Sequence, residues 1–414
     1  MARVAMLSLH TSPLVQPGGG DAGGMNVYVR ELAAALAHGG TDATVYVRRW
    51  NRDLPTRMTV EPGFEVVHVD AGPIDLAKEQ LPGIVDEFAD GVRDHLSYEP
   101  ADVLHANYWL SGVAAHRLKH ELDLPLVSTF HTLARVKAET GDLEPQARID
   151  AEADVVACSD IITANSVVEM HELVTHYRAD PSRIEVVPPG VDHAFFSPGS
   201  RRGARQALGL GDEPVLLFVG RIQPLKGVDV AVEALARLGD RRARMLVIGG
   251  SSGVDGDDYT AEIDALIAAH GLADRITMVP PQPHHVLSTY YRAADVTIVP
   301  SRSESFGLVA LESAACAHPW WHPTSVAYAR WSTTAARGFG CPAETPTTTP
   351  QPSSAFSAIP ASRTDWRAGL PRRHRPTPGP RWRVGCVGST AISPNGHWST
   401  VLPEHLAGLN AWQV

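Results

Sequence analysis

Apolar runs of strand length alternate with amphipathic stretches of helix length from the N-terminus to about residue 316. That alternation is the signature of parallel strands joined by crossover helices. In the first half the runs "VAMLSLH", "ATVYVRR", "FEVVHVD", "VLHAN", "LVSTFH" and "IITANS" predict strands, and "NVYVRELAAALAHGG" predicts a helix with Val27, Leu32 and Leu36 on one stripe and glycines at its end. Residues 186–203, "VVPPGVDHAFFSPGSRRG", are rich in Pro, Gly and turn residues and predict a linker. The pattern then restarts with "VLLFVG", "RMLVIGG", "ITMVPP" and "DVTIVP", each followed by a helical stretch. The expected fold class is α/β: a doubly wound domain over 1–190, a linker over 191–205 and a second doubly wound domain over 206–316. Ligands of such folds lie at the carboxyl ends of strands, which directs attention to the cleft between two domains.

Several motifs fall at those strand ends. "QPGGGDAGGMN" (16–26) follows the first strand and opens the first helix, where glycines let backbone N–H groups approach a phosphate or sugar. It is not GxGxxG, and a plain flexible loop has the same composition. "FVGRIQPLKG" sets Arg221 and Lys226 just past a strand, spaced to grip a diphosphate, though two solvated surface cations would look the same. "SRSESFGLVALE" places Glu304 in a loop and Glu312 two turns into the following helix, where a carboxylate can accept from sugar hydroxyls or face charge at an anomeric carbon. "STFHTL" supplies His131 and Thr132, and "HANYWLSG" supplies Tyr108; a lone His is more often structural than catalytic. The acids of "VDGDD" (254–258) lack companion ligands and predict a solvated loop rather than a metal site.

Composition narrows the function. The 414 residues carry a net charge of −10, and residues 1–316 hold 27 Lys+Arg against 43 Asp+Glu. An acidic body argues against a nucleic-acid or membrane partner, so the basic residues serve a small anionic ligand. Four widely spaced cysteines with no CxxC pair predict a reduced cytoplasmic protein. No apolar run reaches the length of a membrane span, and the N-terminus reads as a buried strand rather than a signal segment.

Taken together, "HTSPLVQPGGGDAGGMN", "GPIDLAKEQLP", "HANYWLSG", "STFHTLARVK", "GRIQPLKG" and "SESFGLVALE" resemble the retaining family 4 glycosyltransferases over residues 1 to about 316. The resemblance implies a GT-B fold of two Rossmann-like domains facing across a cleft, and a homodimer. It implies transfer of N-acetylglucosamine from UDP-N-acetylglucosamine to 1D-myo-inositol 3-phosphate with retention, the first step of mycothiol synthesis. On the donor side, it implies that Arg221 and Lys226 hold the diphosphate with Gly24 opposite, that Glu304 lies near the donor sugar, Glu312 near the ribose and Gln282 near the uracil. His131 matches a motif histidine near the donor sugar. On the acceptor side it implies phosphate contacts from Lys78, Tyr108, Thr132 and Arg148, in a pocket completed by His10, Gln16, Pro17, Asp21, Ala22, Gly23, Gly24, Met25 and Asn26. The match at Arg148 follows a segment several residues shorter than the family pattern. The family's Mg2+ is expected at the backbone carbonyls of Tyr291, Arg292 and Ala294 and at a Thr whose place here is taken by His318. No enzymic nucleophile is expected; the leaving phosphate assists deprotonation of the acceptor hydroxyl. The alternatives are another sugar-phosphate or inositol acceptor on the same scaffold, and a binder of nucleotide sugars without transfer activity.

After Cys316 the pattern breaks. The family continues as "ACGTPVVA" and a Val-Gly-Gly turn, whereas this chain reads "ACAHPWWHPTSVAYARW". One coding of Gly-Thr-Pro-Val-Val-Ala-Ser is GGC ACA CCC GTG GTG GCA TCC. Without its first G it reads GCA CAC CCG TGG TGG CAT CC, which encodes Ala-His-Pro-Trp-Trp-His-Pro, the residues at 317–323. Residues 317–414 also hold seven of the nine Trp, 13 of the 32 Pro and no Lys, without a helix or strand period. They are expected to be out of frame and largely disordered, leaving the second domain incomplete and this polypeptide inactive.

Overall fold

Runs such as "VYV" and "LLFV" bury both faces of their strands, which requires helices above and below the sheet. The computed structural model, which describes residues 2–18, 22–139, 144–251, 256–302, 304, 307–318 and 320–321, has that arrangement twice.

The first unit runs β1 (Arg3–Leu7), α1 (Gly24–His38), β2 (Asp42–Arg48), β3 (Arg57–Glu61), β4 (Phe64–Val69), α2 (Val85–Tyr98), β5 (Val103–Asn107), α3 (Trp109–Leu122), β6 (Leu126–Thr129), α4 (Ala134–Glu139), α5 (Gln146–Cys158), β7 (Ile161–Ala164), α6 (Val167–Tyr177) and β8 (Ile184–Val186). Its strands lie in the order β3-β4-β2-β1-β5-β6-β7-β8, all parallel except β3. Apolar clusters cover both faces, one around Phe88 and Leu104 and the other around Phe64 and Leu36. The antiparallel β3 was not among the expected strands. Half-exposed and edge-lying, it carries no continuous apolar run, and its hairpin with β4 turns at Pro62-Gly63.

The second unit runs α7 (Arg201–Ala207), β9 (Val215–Val219), α8 (Val228–Arg237), β10 (Arg244–Ile248), α9 (Gly256–Ala269), β11 (Ile276–Val279), α10 (His284–Ala293), β12 (Val296–Ile298), α11 (Leu308–Ala315) and β13 (Trp320–Trp321). Its parallel sheet has the order β11-β10-β9-β12-β13. Strand order reverses around β1 in the first sheet and around β9 in the second, so the loops that follow these strands open at the switch points where doubly wound sheets bind ligands. The linker is pinned to the second unit: Phe196 is fully buried against His284 and Tyr291, and Arg292 Nε donates to Ser197 O (2.8 Å).

The boundary expected at residue 316 falls inside this sheet. Ala317 turns the chain with φ of 59°, and Trp320 and Trp321 pair with Thr297 and Ile298. Backbone hydrogen bonding, which is indifferent to side-chain identity, seats these residues on the edge of β12. The remainder of the expected out-of-frame tail, 322–414, lies outside the described residues.

Candidate active site

At the end of β5 and at the turn after β6, two non-glycine residues adopt positive φ: Tyr108 at 76° and His131 at 65°. Neighbouring strain of this kind persists only where the surroundings over-determine it, and it concentrates at functional sites. His131 is the centre of a three-residue turn closed by Thr132 N donating to Phe130 O (2.7 Å). Its ring is buried, with Nε2 3.0 Å from Asn107 Oδ1 and the Tyr28 ring 5.0 Å away. Burial, with a smaller effect of His10, pushes its pKa down to about 3, so it is a neutral imidazole at neutral pH.

Beside it lies Arg148 on α5, only 4% exposed. Its Nε donates to Glu152 Oε1 (2.8 Å) and its Nη1 pairs with Glu144 Oε2 (2.9 Å), both at i±4 spacing. Nη2 donates to Thr132 Oγ1 (3.1 Å), and the guanidinium lies 5.1 Å from the Tyr108 ring centroid. Glu152 also accepts from Ala134 N and the Tyr177 hydroxyl, so it is fully engaged. The His10 ring packs 4.4 Å from that of Tyr108. Thus Tyr108, Thr132, Arg148 and His10 are brought together. Lys78 is exposed at the start of a 3-10 turn over Lys78–Ile84.

Across the cleft, Lys226 Nζ meets Glu304 Oε2 at 2.8 Å. Ser301 Oγ donates to the same oxygen (3.0 Å) and Gly307 N to Oε1 (3.3 Å). Burial alone would raise the Glu304 pKa, but Lys226 and these donors outweigh it and hold the carboxylate below its ordinary range. Two glycines let the strand ends converge here. A Cβ on Gly249 would lie 1.9 Å from Gly220 O, and Gly227, at φ 70°, leaves no room beside Pro300 O.

Glu312, 5% exposed, accepts from the Tyr291 hydroxyl (2.6 Å) and lies 2.9 Å from His284 Nε2. Burial would lower the His284 pKa; Glu312, Glu31 on α1 and Asp192 in the linker together raise it. This carboxylate is therefore committed to joining α10 and α11.

The two units meet along the glycine-rich loop. Gly250 N donates to Gly18 O (2.9 Å), Gln16 Nε2 donates to Pro281 O (2.8 Å), and Gly23 lies against the Arg221 guanidinium, where a Cβ would stand 3.5 Å from Nε. Gln282, next to that seam, folds back onto Pro280 O. Pro17 is half-buried, whereas Ala22 and Met25 are buried at the entry to α1, which begins at Gly24. Asn26 is buried and spends its side chain on the loop itself, donating to Ser12 O and accepting from Gly23 N. Asp21 lies outside the described residues, as do residues 252–255 of the acidic loop.

The residues expected around Mg2+ also gather in one place. Tyr291 and Arg292 lie in the last turn of α10, Ala294 caps it, and His318 is half-buried near Arg201, Arg205, Arg292 and Asp295. Burial, reinforced by these cations, pushes the His318 pKa down to about 4. A hard cation takes oxygen ligands, which three carbonyls provide and an imidazole among guanidiniums does not. The donor set fits Mg2+ poorly, and no step is routed through a metal.

Sequence reading missed Asn107, Glu144, Glu152 and His284, and it gave Tyr291 only a backbone carbonyl role, whereas its hydroxyl holds Glu312. Only the Glu144, Arg148, Glu152 spacing left a signal, as a helical i±4 ladder.

Two doubly wound units joined by a short linker, with cationic side chains at their strand ends, have the architecture of the GT-B glycosyltransferases. Residues 22–195 match the profile Glycosyltransferase Family 4, and residues 200–320 match Glycosyl transferases group 1. A D-inositol 3-phosphate glycosyltransferase of Streptosporangium roseum is 47% identical over 334 residues, 77% of each chain. That of Geodermatophilus obscurus is 48% identical, covering 77% of this chain and 74% of the relative. Among solved structures, sucrose-phosphate synthase from Thermosynechococcus elongatus superposes with a TM-score of 0.73 at 29% identity, covering 78% of this chain and 81% of that one. WaaG, a glycosyltransferase of lipopolysaccharide biosynthesis, shares the fold at a TM-score of 0.59 and 21% identity, covering 80% of this chain and 84% of that one. The chain belongs to glycosyltransferase family 4, a family of hexosyltransferases, and within it is similar to proteins named D-inositol 3-phosphate glycosyltransferase. Among the described residues no helix is long and apolar enough to cross a membrane.

Proposed function

We propose that this scaffold transfers N-acetylglucosamine from UDP-N-acetylglucosamine to 1D-myo-inositol 3-phosphate with retention. The observation that carries the reading is Arg148, a buried guanidinium fixed by two carboxylates and turned to Thr132 and Tyr108, in the unit opposite the one that carries Arg221 and Lys226. A cleft with an anion grip on each side suits a diphosphate donor and a phosphorylated acceptor. The names carried by the relatives point the same way. In this reading Arg221 and Lys226 take the leaving diphosphate, and Lys226 exchanges its Glu304 partner for phosphate oxygen. Glu304 is then released towards sugar hydroxyls. His131, neutral and rigidly held, offers a fixed dipole beside the donor sugar rather than a transferable charge. The acceptor hydroxyl loses its proton to the departing phosphate, so the protein's share is positioning and electrostatic stabilisation.

We also propose that residues from 317 onward are read out of frame, and two structural features support it. Ala317 occupies a left-handed conformation that favours glycine, and Trp320 and Trp321 occupy a strand beside β12. Restoring the missing base makes Ala317→Gly, His318→Thr, Trp320→Val and Trp321→Val. It supplies a glycine where φ is positive, an oxygen ligand where His318 stands and β-branched residues in the strand. The test is UDP release by the chain as it stands and by its frame-restored form, with 1D-myo-inositol 3-phosphate or unphosphorylated inositol. Phosphate-dependent release by the restored form alone is expected. Equal use of both acceptors overturns the substrate reading, and full turnover by the unrestored chain overturns the frame reading.

A further inference from the structure

We propose that His116, His120 and Cys158 form a binding site for a single zinc-class metal ion, separate from the transfer cleft. His116 and His120 stand one turn apart on α3, and Cys158 ends α5 beside them. One ligand atom from each lies within 4.8 Å of the others, with His120 Nε2 3.2 Å from Cys158 Sγ and the two imidazole centroids 5.2 Å apart. A tetrahedral ion bound at about 2.0–2.1 Å to nitrogen and 2.3 Å to sulfur requires such a cluster to draw in only slightly. Two imidazoles and a thiolate are borderline-to-soft donors, which select Zn2+ over Mg2+ or Ca2+. Asp154, one turn before Cys158 and close enough to act on the charge of His116, or a water, takes the fourth position.

The helices that carry these groups are already fixed. Lys119 Nζ bridges Cys158 O (2.9 Å) and Asp160 Oδ2 (2.6 Å), and Arg183 holds Ala157 O and Ser159 O. Farther up, Gly112 packs so closely on Val155 that a Cβ would meet it at 2.9 Å. A preorganised cluster loses little entropy on binding an ion. The side chains are exposed or half-buried, so an ion can enter from solvent. Burial pushes the Cys158 thiol up, so binding releases its proton.

Both helices run away from the cleft. Their first residues bring Tyr108 and Arg148 together, and their last residues bring His120 and Cys158 together, roughly 18 Å along α3 from Tyr108. The metal is thus a staple at the far end of the helix pair that carries the candidate acceptor site.

The test uses the full chain, stripped with a chelator and titrated with Co2+ as a spectroscopic substitute. The expected result is one equivalent of Co2+ with sulfur-to-cobalt charge-transfer absorption, displaced by Zn2+. Cys158→Ser should abolish that absorption, which also excludes the other three cysteines as its source. His116→Gln with His120→Gln should weaken binding beyond the roughly 10- to 100-fold typical of outer-shell changes. Zn2+ should raise the unfolding temperature of the parent and not of Cys158→Ser. The substituted side chains are exposed or half-buried, and circular dichroism verifies the fold of each protein. Absence of the charge-transfer band in the folded parent, or its persistence in Cys158→Ser, overturns the proposal.

Discussion

Arg148 shows how one residue combines stability and recognition. Its partner Glu152 is buried with it, so Arg148→Ala leaves a buried carboxylate uncompensated and should cost about 3–5 kcal/mol by chemical denaturation. Arg148→Lys keeps the charge but cannot reach Glu152, Glu144 and Thr132 at once. In the frame-restored enzyme it should raise the acceptor KM far more than it changes donor affinity. Protonation adds a second residue-scale expectation. His131 has a folded pKa of about 3 against an ordinary 6.5, so the stability tied to its neutral form is complete above 6.5 and is lost as pH falls towards 3. His284 has the opposite sign. Its raised pKa adds stability that is complete below its ordinary 6.5 and fades as pH rises through the folded value. Denaturation of His131→Gln and His284→Gln across this range should flatten the acid and alkaline limbs respectively.

At the scale of elements, the strands with continuous apolar runs were legible because both of their faces are buried. β3 was not, because an edge strand half exposed to solvent has no such constraint and only its Pro62-Gly63 turn marked it. The strand ends explain why glycines recur there: Gly249→Ala would force a Cβ against Gly220 O and should destabilise by at least the roughly 1–3 kcal/mol of core overpacking. The left-handed turn at Ala317 makes the reverse prediction. Ala317→Gly should stabilise the second unit by about 1–2 kcal/mol, measured by urea unfolding. The strand-end motifs pointed to the cleft from sequence. The groups that hold His131 and Glu312 did not, because they act through contacts between distant segments, whereas the carboxylates that hold Arg148 left only their i±4 spacing.

In the whole molecule, the seam between units is built largely from backbone: Gly18 to Gly250, Gln16 to Pro281 O and Gly23 against Arg221. Contacts of this kind permit one unit to shift against the other without breaking a packed core. In the proposed reading each unit contributes its own anion-holding group, and transfer requires both to be assembled around one pair of substrates. The acidic body, with Arg221 and Lys226 among its strand-end motifs, fits small anionic ligands rather than a polymer. The most direct measurement is the structure of the product made by the frame-restored chain from UDP-N-acetylglucosamine and 1D-myo-inositol 3-phosphate. Nuclear magnetic resonance should show an α-linked N-acetylglucosamine on an inositol that keeps its phosphate; a β-linkage, or transfer with equal ease to inositol lacking phosphate, would contradict it.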